Sequence, residues 1–189
     1  VAATITPVDS KTSIGRQIIS LNSDEIQTIT TEWKGIQTWD CENPNLYTLK
    51  LELINPQKQI VHIHEERIGF RTIEFRPKDG IYVNGTKIIV KGTNRHSFHP
   101  DGGRTTNREL SLQDALLIKE MNMNAVRSHY PPDKHFLEIC DSLGIFYLNE
   151  LAGWQNSYDT ETGLKLLSEM INRDVNHPCI FMWSNGNEG

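Results

Sequence analysis

Residues 124–149 read NAVRSHYPPDKHFLEICDSLGIFYLN, and this stretch decides the fold. It opens on a short run of strand formers, Asn124 to Ser128. A helical segment follows from Asp133 to Leu143, with Phe136, Ile139, Cys140 and Leu143 on its apolar face and Gly144 as its stop. Ile145 to Asn149 then forms a second apolar run. Two strands separated by a helix of this length run parallel, because a tight turn cannot reverse the chain through such a crossover.

The same rhythm extends on both sides. Upstream, residues 88–94 (IIVKGTN) read as a buried-type strand. Ser111-Leu-Gln-Asp114 reads as a capping-box variant opening a helix, with Leu110, Leu117, Ile118 and Met121 near one face. Downstream, Leu164, Leu167, Ile171 and Val175 mark a third helix, ended by His177-Pro178, and residues 179–184 (CIFMWS) form a fourth strand. The order β-α-β-α-β-α-β requires a parallel sheet whose strands are apolar because both faces are covered. It fits a doubly wound sheet or the first half of a (β/α)8 barrel. No GxGxxG follows the first strand, which weighs against a dinucleotide fold.

Before Arg76 the rhythm has period two. AATITP (2–7), EIQTITTEW (25–33) and LYTLKLEL (46–53) alternate apolar with polar residues. Residues 60–64 are rich in β-branched side chains, and Asn22, Asn43-Pro44 and Asn55-Pro56 supply turns. Short antiparallel strands at this spacing predict a β-sandwich over 1–76, followed by the α/β region over 77–189.

Composition limits what such a chain does. Net charge is −5, from 19 basic and 24 acidic side chains, with no basic block to track a phosphate backbone, so no nucleic-acid partner is expected. No apolar run approaches the ~20 residues needed to span a bilayer. Cys41, Cys140 and Cys179 form no CxxC pair and are read as free buried thiols.

In parallel α/β folds, chemistry gathers at the C-terminal ends of the strands. Here four polar clusters stand at those ends: Asn94-Arg95-His96-Ser97-Phe98-His99, Arg127-Ser128-His129-Tyr130, Asn149-Glu150 and Asn185-Gly186-Asn187-Glu188. They are expected to converge on one mouth. No pair has HExxH-type spacing, so no metal site is expected. Carbohydrate chemistry fits the inventory. A carboxylic acid protonates a leaving oxygen, His, Asn and Arg donate to hydroxyls, and Trp154 and Trp183 offer aromatic faces. Beside Trp183 at such a mouth, Glu188 is expected to hold its proton near neutral pH, give it to the leaving oxygen and then act as base toward water.

Residues 124–148 resemble the first hallmark motif of glycoside hydrolase family 2, and DVNHPCIFMWSNGNE (174–188) resembles that family's acid/base motif. WDCENPNLY (39–47) and IGFR (68–71) look like the immunoglobulin-like sandwich before its barrel; Asn84-Gly85 and KGTNRH (91–96) look like the barrel entry. The resemblance implies a retaining β-glycosidase acting on a terminal β-linked sugar. Glu188 would be the acid/base and Asn187 the partner of the sugar 2-hydroxyl. His99 and His129 would contact sugar, and Arg127 and Glu150 would form the floor. Trp183 would line the site, and His96 is expected to be structural. His99 and His129 match the galactosidase pattern, which favours β-galactosidase over β-glucuronidase or β-mannosidase; a non-catalytic carbohydrate-binding protein is the reading from another class. The magnesium-using galactosidases carry a further Glu and His just past the position of Glu150. This chain reads Glu150-Leu-Ala-Gly-Trp-Gln-Asn156, without the His, so no cofactor is expected. In the family the nucleophile is a Glu on strand seven. The 189 residues are therefore expected to be a truncated, inactive piece with an open sheet edge, prone to association with another copy. A periplasmic or secreted location is expected over a cytoplasmic one.

Overall fold

The computed structural model describes residues 1–21 and 26–188. Four strands build an antiparallel sheet: β1 (Ala2–Pro7), β2 (Gly15–Ile18), β3 (Tyr47–Ile54) and β4 (Ile60–Ile68), in the order β2-β1-β3-β4. Ala2, Ala3 and Ile5 of the interior strand β1 are buried, as is Tyr47 on β3. At the β3–β4 turn the Asn55 carboxamide oxygen accepts the Gln59 N–H at 2.8 Å, an Asn-built turn of the expected kind.

The alternation over 25–33 does not become a strand. Glu25 and the Asn22 turn lie outside the described residues; residues 26–33 form no ladder, and Ile26 is fully exposed. Period-two patterning stabilises a strand only where a neighbour pairs with it and one face is covered, and at Ile26 neither condition is met.

A three-stranded antiparallel meander follows, β5 (Ile73–Arg76), β6 (Gly80–Val83) and β7 (Thr86–Ile88). The residue 76–80 turn, where the sequence rhythm changes, joins β5 to β6. Asn84 and Gly85 join β6 to β7 with φ of 51° and 79°, the left-handed pair that a two-residue hairpin of native twist demands.

The parallel sheet has the order β11-β10-β9-β8, with β8 (Gly92–Asn94), β9 (Ala125–Arg127), β10 (Phe146–Glu150) and β11 (Ile180–Ser184) all parallel to their neighbours. Helices α1 (Arg108–Glu120), α2 (Lys134–Leu143) and α3 (Thr160–Asp174) make the crossovers. Gly144 closes α2 at φ 67°, where an added Cβ would lie 2.4 Å from the Cys41 carbonyl oxygen, so the stop and the close approach both need glycine.

Three expectations change. The first parallel strand is only Gly92–Asn94, because Ile88 pairs with Ile81 in the meander and the chain must change sheets between them. The Asn124 side chain secures that crossing, accepting from Lys91 N and donating to the Ile89 carbonyl. Continuous burial of the strands holds for β10, while β8 at the sheet edge is largely exposed. Helix α1 starts three residues before Ser111, where Asn107 Oδ1 caps Leu110 N at 2.9 Å. Its buried side chains are Ser111, Ala115 and Ile118, whereas Leu117 and Met121 face outward. Asn107 satisfies an orphan N–H that Ser111, inside the helix, cannot reach.

The antiparallel region packs on the N-terminal ends of the parallel strands. Trp39 is fully buried, meets Phe146 edge-on at 5.6 Å and donates its indole N–H to the Asp141 carbonyl at 2.7 Å. Arg71 donates to the carbonyls of Pro178 and Ile180. Among the described residues no helix is long and apolar enough to cross a membrane.

Candidate active site

At the C-terminal ends of β9 and β10, Arg127 and Glu150 form a bidentate ion pair with N–O distances of 2.9–3.0 Å. The alternation of β10 sets this up. Phe146, Leu148 and Glu150 share one face, while Tyr147 and Asn149 point to the helix layer. Glu150 is 1% exposed, and burial at that depth is tolerable for a carboxylate only with such a partner. The same guanidinium donates to Asn187 Oδ1 at 2.7 Å, so the β11 exit is tied to the β9–β10 pair.

His129 follows on the β9 exit, with Nδ1 3.7 Å from Glu150 Oε1. The His96 ring stacks on it, centroids 4.9 Å apart and planes within 7°. Tyr130 Oη accepts the Ser97 N–H at 2.8 Å and lies 3.3 Å from His96 Nδ1, which fixes the β8 exit against the β9 exit. Guanidinium, carboxylate, carboxamide and two imidazoles are thus linked across four strand ends.

Other members of the polar clusters lie elsewhere. Arg95 turns into the helix layer, where it pairs with Asp114 and lies over the Phe136 ring. Asn149 does the same, donating to Asp174 Oδ2 at 2.8 Å. His99 is held within its own loop, bridged to Gly103 and accepting the Asp101 N–H on Nδ1.

Glu188 is exposed and takes a left-handed φ of 54°. Trp183, expected beside it, is partly buried and packs on the hydrophobic core. The indole that reaches Glu188 belongs to Trp154, with Nε1 3.4 Å from Oε2. Trp154 sits there because the β10–β11 ladder continues past both strands: Leu151 N donates to Ser184 O, Asn187 N to Gly153 O and Gln155 N to Asn187 O. Both tryptophans offer an aromatic face in the sequence, with Trp183 the one expected beside Glu188; the ladder that runs past the strand ends brings Trp154 there instead.

A supporting layer lay outside the sequence reading. Arg173 grips Asp174 through two 2.6 Å contacts and donates to the Pro132 carbonyl. Through Asn149 and Pro132 this pair fixes the segments that carry Glu150 and His129. Hydrogen bonding to Asp174 raises the Arg173 guanidinium above its ordinary value, and burial pushes the Tyr147 phenol, which pairs with Ser128, up as well. Among the described residues no group of three or more His, Cys, Asp or Glu side chains is placed to hold a metal ion.

Residues 2–71 match the family described as "Glycosyl hydrolases family 2", and residues 74–189 match its "TIM barrel domain". A β-galactosidase from Thermoanaerobacterium thermosulfurigenes is 42% identical over 156 residues, covering 79% of this chain and 21% of that protein. A putative β-glucuronidase from Formosa agariphila is 38% identical over 160 residues, 82% of this chain and 19% of that protein. The crystal structure of Parabacteroides merdae β-glucuronidase matches with a TM-score of 0.84 at 26% identity, over 99% of this chain and 25% of that one. The chain spans about a fifth of the length of these curated relatives.

Proposed function

The chain belongs to glycoside hydrolase family 2, and from that premise we propose that it supplies the acid/base half of a retaining β-glycosidase. The observation that carries the reading is the linkage of Arg127, Glu150 and Asn187 beside Glu188. We infer that the parallel sheet is the first half of a (β/α)8 barrel over 77–189, and that the antiparallel sheet is one layer of an immunoglobulin-like sandwich over 1–76.

Glu188 gives its proton to the glycosidic oxygen as the anomeric C–O bond breaks, and the bonding electron pair leaves with that oxygen. A carboxylate on the opposite face attacks the anomeric carbon. Glu188, now ionised, takes a proton from water as the water displaces that carboxylate, and the sugar leaves with its configuration retained. Glu150 is a poor candidate for the nucleophile, because its oxygens are engaged by Arg127 and His129. The 189 residues alone are therefore read as inactive. Asn187 and His129 meet sugar hydroxyls, and Arg127 with Glu150 forms the floor that orients them. For His99 and Trp183 the assigned sugar contacts rest on the family resemblance.

For the substrate we propose a terminal β-galactoside, on the match of His99 and His129 to the galactosidase pattern. β-Glucuronide is the competing substrate, favoured by the names of the Formosa relative and the Parabacteroides structure. The deciding experiment is hydrolysis of a panel of nitrophenyl β-glycosides by a protein carrying this chain at the full length of its curated relatives. Turnover of the galactoside that Glu188→Gln abolishes supports the galactosidase reading. Turnover of the glucuronide moves the substrate and keeps the mechanism. Saturable sugar binding without turnover on any member overturns the enzyme reading in favour of a binding protein.

A further inference from the structure

We propose that Trp154 determines leaving-group specificity: its indole face receives the second sugar of a β-linked di- or oligosaccharide, while its N–H orients the Glu188 carboxylate. The inference rests on the glycosidase reading and extends it to the far side of the scissile bond.

Trp154 is 68% exposed, an unusual position for the side chain with most to gain from burial. It is nonetheless firmly placed. Its backbone pairs with Asn187, and the hydrogen bonds on either side, Asn187 N to Gly153 O and Gln155 N to Asn187 O, leave the loop little freedom at this point. The residues that follow the paired positions, Gln155 and Glu188, both have left-handed φ, 61° and 54°. Non-glycine residues avoid that region unless their surroundings over-determine it, and such outliers gather at functional sites. Here the outliers are Glu188 itself and the residue after Trp154, beside the meeting of indole and carboxylate.

Two kinds of group meet around Asn187. Its side chain meets Arg127, which with Glu150 and His129 is polar and suited to sugar hydroxyls. Its backbone pairs with Trp154, an open aromatic face with one donor already pointed at Glu188. A general acid touches the oxygen that departs. An indole whose N–H lies 3.4 Å from that acid therefore stands within reach of whatever the oxygen carries. A pyranose ring offers a C–H face that fits an indole. With one carboxylate oxygen engaged by the indole N–H, the other is left to hold the proton.

The test uses the full-length protein with Trp154→Ala and Trp154→Phe. It compares a β-linked disaccharide, whose non-reducing sugar is the one turned over in the nitrophenyl panel, with the dinitrophenyl glycoside of that sugar. The dinitrophenolate leaves without a proton and is not a sugar. Trp154→Ala is expected to lower kcat/KM on the disaccharide by about tenfold or more, and on the dinitrophenyl glycoside by a much smaller factor. Trp154→Phe keeps a ring and drops the N–H, so its disaccharide KM stays near wild type while kcat falls. Equal losses on both substrates, or no loss on either, overturn the proposal while the glycosidase reading stands. A wild-type protein that turns over neither substrate overturns both.

Discussion

The two ends of the parallel sheet use the same side-chain types to opposite effect. At the N-terminal end, His177 Nδ1 lies 2.6 Å from Asp141 Oδ2, with the side chains 6% and 1% exposed. Cys179 N–H donates to the other Asp141 oxygen at 3.0 Å, and the Arg67 guanidinium stands 3.6 Å away. At the C-terminal end, His129 stands 3.7 Å from a Glu150 that is equally buried, yet its imidazole is 27% exposed and stacks on a second ring that faces solvent. The base turns its polar groups toward one another and joins two regions of chain, with His177 Nε2 alone of this cluster left buried without a partner among the described residues. The mouth leaves its groups with free valences toward solvent, the condition for binding a hydroxylated ligand. This is the division between stability and chemistry found at the two ends of parallel α/β sheets.

The sharpest way to break the comparison is a pair of substitutions, one at each end. In the full-length protein, Glu188→Gln is expected to cut glycoside turnover by about 10²–10⁴-fold with the thermal midpoint unmoved. A calorimetric scan beside the kinetic assay reads both. Asp141→Ala is expected to do the reverse, lowering unfolding free energy by about 3–5 kcal/mol because His177 and the Cys179 N–H lose a buried partner. Activity per folded molecule should stay close to wild type. If Asp141→Ala slowed turnover without unfolding the protein, the two ends would not be separable.

Away from both ends, smaller effects sharpen the picture. Asn107→Ala removes the α1 cap and is expected to cost about 1 kcal/mol in denaturant unfolding, whereas Ser111→Ala should lose nothing that capping accounts for. Burial pushes the Cys41 thiol from 9.0 up to about 12, and burial holds Cys140 and Cys179 high as well. The folded state thus favours the protonated thiol. The stability it contributes is complete below pH 9.0 and is lost as pH rises toward about 12. Native protein at pH 8 should resist alkylation by iodoacetamide that the unfolded chain accepts, as mass spectrometry after a timed quench would record.

These elements also mark what the sequence made legible. The strand–helix–strand unit over 124–149 could be read almost to the residue, because Asp133 and Gly144 signal its helix ends locally and its apolar spacing leaves one period open. The α1 start could not: Asn107 and Ser111 are both acceptable caps, and which side chain meets an N–H is decided by where the chain enters from β8. The alternation over 25–33 is a true pattern, yet its described residues, 26–33, join no ladder. At the mouth, the residue types at each strand end were visible, but the face each side chain takes was not. Arg95 and Arg127 are both polar exits from parallel strands, and only the pairing and helix packing send one into the helix layer and the other to Glu150. Trp154 reaches Glu188 through a ladder that runs beyond its strands, a long-range register that no local window contains.

The Trp39 indole and the carbonyl it bonds on Asp141 are 102 residues apart, and Arg71 and the Pro178 carbonyl are 107 apart. On a ribosome adding ~5–20 residues per second, the early antiparallel strands wait roughly 5–20 s for the surface that covers them. During that interval a large aromatic ring destined for full burial stands in water beside an unpaired guanidinium. The junction at the base of the sheet therefore closes late, and newborn chains are the stage at which a chaperone would find this protein most exposed.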